Sequence, residues 1–114
     1  MNKEVFTNLS EEYDIPVGRV KNYFAKLMTY QIFEESDEEL QRDCLEAVVS
    51  DAGSNKFFRE EIDDKNIQRD HHKSLAYCYS DALFRTYGDQ AIPYLDDEYR
   101  RENSIRYTEM SKSK

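Results

Sequence analysis

The sequence is poor in the residues that punctuate a chain, with three Gly and two Pro among 114. So few turn formers argue against a many-stranded sandwich and against a glycine-rich loop cradling a phosphate. Cysteine is equally scarce. Cys44 and Cys78 lie far apart, and a single pair makes no disulfide framework. Reduced thiols in a cytoplasmic setting are therefore expected, each acting as a small hydrophobe on a helical face. No apolar run approaches the roughly 18 residues of a bilayer span, and Met1 to Ser10 has no basic start followed by an apolar stretch. Neither membrane insertion nor secretion is expected.

What the chain has instead is charge and aromatic area. Asp and Glu number 24 against 16 Lys and Arg, for a net charge of −8, and nine Tyr and six Phe supply material for a core that a disordered acidic chain lacks. The acid is concentrated. Residues 34–64 carry twelve acids and three bases, while the rest of the chain is close to balanced. Such a surface repels nucleic acid and attracts basic partners over a Debye length of about 8 Å.

Hydrophobic spacing predicts an all-α, compact bundle of about five helices, a single domain over 1–103 with a mobile tail over 104–114. Asn2 can cap a first helix carrying Val5, Phe6, Leu9 and Tyr13. Asp14, Ile15 and Pro16 break it, and Pro16 suits the start of a second helix expected to run to about Phe33. Ser36 to Glu39 reads as a capping box, with the Ser36 hydroxyl accepting from the Glu39 N–H. The helix it opens, through Leu40, Cys44, Ala47 and Val48, is expected to stop at Gly53. Phe57, Phe58 and Ile62 begin a fourth segment that breaks at Asp63 and Asp64. A long helix through Leu75, Cys78, Tyr79, Ala82 and Leu83 follows and is closed by Gly88. Asp89 can cap a last helix carrying Ile92, Leu95 and Tyr99.

Three local patterns bear on chemistry. Leu9, Tyr13, Ile15, Val20 and Tyr23 have the spacing of a helix-turn-helix, although Asp14 stands where the turn usually has Gly. In that arrangement Arg19, Lys21, Asn22 and Lys26 would face outward with donors for phosphates and base edges. Asp70, His71 and His72 have metal-site letters without metal-site spacing, because adjacent residues point about 100° apart on a helix. Glu60, Glu61, Asp63 and Asp64 lack the cleft or bundle spacing of a carboxylate active site, and no nucleophile motif occurs.

The expectation is therefore a non-enzymatic protein without cofactor, metal or small-molecule substrate, working by contact. The leading form is an adaptor or inhibitor that docks on another protein, or on copies of itself. Its contact residues would be Glu34, Glu35, Asp37 and Glu38 on the acidic stretch, together with Tyr77, Tyr79, Phe84 and Tyr94. The alternative is a helix-turn-helix regulator that meets DNA through residues 5–28, using Arg19, Lys21, Asn22 and Lys26.

Overall fold

The computed structural model describes residues 2–54 and 65–105. Asn2 opens helix α1, Lys3–Tyr13, by accepting a hydrogen bond from the Glu4 N–H at 3.0 Å. After a three-residue turn comes α2, Val17–Leu27, then the single turn α3, Gln31–Glu34, and the longer α4, Glu38–Ser54. Helix α5, Lys65–Tyr87, leads into a 3₁₀ helix, Gly88–Tyr94, and α6, Asp97–Glu102, follows. No strand occurs among the described residues, so the all-α architecture stands.

Helix α4 packs against α5, and this pair is the spine. The α1–α2 pair packs on α4, while the 3₁₀ helix and α6 pack on α5. The thinnest extent is 19 Å, close to two helix diameters, so there is one core between two layers. Phe33, Leu27, Leu45, Leu83, Val20 and Val48 are fully buried in it. Each such side chain contributes about 1.5–3 kcal/mol by leaving water. Phe24 bridges Phe6 and Phe33, with ring centroids 5.2 and 5.8 Å away, which ties α1, α2 and α3 into one aromatic seam.

Several boundaries differ from those the sequence suggests. The second helix ends at Leu27 rather than near Phe33. Thr29 turns both its N–H and its hydroxyl back onto the Lys26 carbonyl, at 3.1 and 2.6 Å, and a hydroxyl that competes for backbone in this way disfavours continuing the helix. The N-cap of α4 is Asp37, not Ser36: its carboxylate accepts from the Leu40 N–H at 2.9 Å. Ser36 instead donates to the Phe33 carbonyl at 2.7 Å and meets the Tyr87 hydroxyl at 2.7 Å. Gly53 lies within α4 and does not end it.

Gly88 closes α5 as expected, with φ +66°. The segment beyond it is two elements rather than one helix. Leu95 is extended, the Asp96 N–H donates to the buried Ser80 hydroxyl at 2.8 Å, and the Asp96 carboxylate accepts from the Glu98 N–H at 3.1 Å, so Asp96, not Asp89, caps α6. Ser104 takes a left-handed conformation, and the Ile105 N–H reaches back to the Arg100 carbonyl at 2.8 Å. Ile105 packs on the core, so these two residues, assigned to the tail from sequence, finish α6. The segment around Phe57, Phe58 and Ile62 and the tail over 106–114 lie outside the described residues.

Candidate interaction surfaces

The corner between α1 and α2 is built from three residues. Asp14 adopts φ 54°, ψ 52°, the left-handed region that glycine usually fills. This lets the Ile15 N–H bond to the Ser10 carbonyl at 3.1 Å while the Ser10 hydroxyl donates to the Ile15 carbonyl. Ile15 thereby turns inward and is 5% exposed. Pro16, with φ −59°, starts α2, and its carbonyl accepts from the N–H groups of Arg19 and Val20. The departure from glycine in the sequence is thus absorbed by Asp14 taking glycine's conformation.

Val20, Tyr23 and Leu27 fix the inner face of α2, which leaves Val17, Gly18, Lys21, Asn22, Ala25 and Lys26 outward and exposed. The helix carries three bases and no acid. Lys21 and Asn22 make no hydrogen bond or ion pair among the described residues. The Lys26 ammonium stands 5.5 Å from the centre of the Tyr30 ring, a cation–π contact that still leaves it exposed. Arg19 is less exposed than the sequence suggests. It is half-buried, and its charge opposes the upward push that burial gives the Tyr23 phenol.

The acidic corner forms where α3 meets α4. Glu34, Glu35, Asp37, Glu38 and Glu39 are all exposed, and Leu40 beside them is 36% exposed. Two of these acids serve the fold as well. Glu35 accepts from the Gln31 amide at 2.9 Å, and Asp37 caps α4. Gln41 fastens the corner from beneath by donating to the Phe33 carbonyl at 2.9 Å.

Of the four aromatic residues expected on a docking face, one is buried and three are half-buried. Tyr79 is a core residue, 6% exposed and edge-on to Tyr23 at 6.3 Å, so it is withdrawn from any surface. The reason is helical phase, since Tyr79 shares the inward side of α5 with Ala82 and Leu83. Tyr77 and Phe84 are half-buried around Tyr99, with centroids 4.8 and 6.3 Å from its ring. Tyr94 packs edge-on against Tyr30 at 6.0 Å. These rings therefore take part in four internal ring contacts.

Other polar groups lie inside the molecule. Burial pushes the Cys44 thiol up to about 12, and burial together with the charges of Asp51 and Asp81 does the same for Cys78. Neither is an activated nucleophile. Asp51 on α4 and Asp81 on α5 face one another across the spine, so burial first and the Asp81 charge second raise the Asp51 carboxyl above its ordinary value, against the pull of Arg85. Sequence inspection missed this pair because thirty positions separate its members. The Tyr99 hydroxyl donates to Asp81 at 3.0 Å. No cluster able to hold a metal occurs among the described residues. Asp70, His71 and His72 fall within α5, but their side chains lie outside the described residues, as do Glu60, Glu61, Asp63 and Asp64. Between α2 and α5 there is an open recess of about 300 Å³ lined by Lys26, Leu75, Ala76 and Tyr79. No described helix is long and apolar enough to cross a membrane. Comparison with protein-family models, curated proteins and solved structures finds no match to this chain.

Proposed function

We propose that the protein binds double-stranded DNA, with α1 and α2 as a helix-turn-helix and α2 as the helix that enters the major groove. The observation that carries this reading is the corner: left-handed Asp14, buried Ile15 and the buried anchors Val20 and Tyr23 orient α2 with an acid-free outer face. Lys21 and Lys26 supply cations for phosphates, and Asn22 supplies an amide for a base edge. Six acids stand between residues 34 and 43, at the α3–α4 corner, and none stands on α2.

The test is fluorescence anisotropy with a labelled mixed-sequence duplex over a salt series. Binding at low salt is expected to weaken steeply as salt rises. Lys21→Ala with Lys26→Ala should flatten the slope of log affinity against log salt by about two units, one per lost phosphate contact. An absence of duplex binding at low salt by the folded protein rejects the reading.

A second reading, docking of a basic protein, is favoured by one observation: exposed Leu40 stands among Glu38, Glu39 and Asp43, an apolar centre with an acidic rim. Its affinity would also fall with salt. The two readings part on substitution, because Glu38→Lys with Glu39→Lys abolishes docking of a basic protein and leaves contact through α2 intact.

A further inference from the structure

Gly18 is an outward residue of α2 that the fold does not explain. It sits in the first turn of a regular helix, a Cβ built on it meets nothing within 4 Å, and its φ lies outside the positive region where glycine is required. Alanine there would favour the helix at no steric cost, so the absence of a side chain weakens the helix without helping the packing. What the bare position does provide is close approach along the outer crest of α2.

Asn22 lies four residues later, one turn along the same row, and is exposed without a partner among the described residues. Its side-chain amide offers an N–H donor and a carbonyl acceptor side by side. That pair matches the N7 acceptor and N6 donor that adenine presents in the major groove, where asparagine binds in bidentate fashion. Guanine presents two acceptors there and is the partner of a guanidinium or ammonium. Arg19, the one guanidinium on α2, borders this crest but is half-buried, with its charge set against the Tyr23 phenol.

From this juxtaposition we infer that Gly18 and Asn22 form the base-reading edge of α2. Asn22 takes an adenine in the major groove, and Gly18 stays bare so that the helix can come close enough for the amide to reach it. The inference rests on the DNA-binding reading above and adds to it a base and two specificity-determining residues.

The experiment is selection of duplexes from a randomised pool by the full chain at low salt, followed by titration of the best duplex with three proteins. For the wild type, the selected duplexes should share an adenine whose replacement by 7-deazaadenine weakens binding by about tenfold. Asn22→Ala should bind the adenine and 7-deazaadenine duplexes alike. Gly18→Ala should melt at a higher temperature than the wild type yet bind the selected duplex several-fold more weakly, and Gly18→Leu more weakly still. A gain in stability with a loss of affinity is an outcome that a purely structural role for Gly18 would not give. If duplexes bind but none is enriched, or if Asn22→Ala keeps the adenine preference, the inference falls and the DNA-binding reading survives. If Gly18→Ala and Gly18→Leu bind as the wild type does, the close-approach role is overturned. If no duplex is retained at any salt, both fall together.

Discussion

Asp14 carries the corner on a conformation that costs an L-residue roughly 1–2 kcal/mol, a cost that Asp and Asn bear more lightly than others. The side chain there decides how well the turn forms. Asp14→Val is expected to lower stability by about 1–2 kcal/mol, since a β-branched residue tolerates the left-handed region worst, while Asp14→Gly should match or exceed the wild type. Urea unfolding followed by far-ultraviolet circular dichroism measures both, and equal midpoints for Asp14→Val and Asp14→Gly would contradict the argument. The same backbone device recurs at Gly88 and Ser104. Only Gly88 announces it in the sequence, because glycine alone is cheap there, and so the close of α5 was legible while the close of α6 at Ser104 was not.

At the level of elements, the start of α4 shows how near-equivalent residues divide a task. Both Ser36 and Asp37 are good N-caps, and the local pattern favours Ser36 because Glu39 stands three residues later. The contest is decided outside the segment. Ser36 finds the Tyr87 hydroxyl 51 positions away, which leaves Asp37 to cap. Asp37→Ala should therefore cost about 1 kcal/mol through the helix end. Ser36→Ala should cost a similar amount by leaving the Tyr87 hydroxyl short of a partner, and a double variant with Tyr87→Phe should be less than additive with it. Additive losses would show that the serine acts locally. The same logic marks what sequence reading could reach. The all-α class, the α1 cap, the break at Ile15 and Pro16, and the anchoring of α2 by Val20 and Tyr23 all follow from periodicity and turn chemistry within a dozen residues. The end of α2 at Leu27 did not, because no Gly or Pro stands there and the apolar spacing runs on through Phe33. The division after Leu95 depends on Ser80, an element away. The outward face of α2 was legible apart from Arg19, whereas Tyr79 was misread because neighbouring tyrosines on a helix do not reveal which of them the tertiary fold turns inward.

For the whole molecule, the spine formed by α4 and α5 couples stability to acidity. The Asp51 carboxyl is raised above its ordinary value by burial and by Asp81, so the folded protein holds a proton there that the unfolded chain has already released. Over that interval the native state binds more protons, and this group's contribution to stability falls as pH rises. Asp51→Asn is expected to melt higher than the wild type at neutral pH and to converge with it below the ordinary carboxylate range, as read by calorimetry across that span. A variant less stable than the wild type at neutral pH would mean that the attraction of Arg85 outweighs the burial of the charge. Asymmetry of charge governs the outside of the molecule as well. Between residues 34 and 43 stand six acids and one base, whereas α2 has three bases and no acid. A charged chromatographic matrix meets one side of a protein and not its mean. This molecule, at net −8, should be held by an anion exchanger through the α4 corner and also delayed on a sulfonated or heparin resin through α2. The pI near 4.8 is then a poor guide to how the protein behaves on a column.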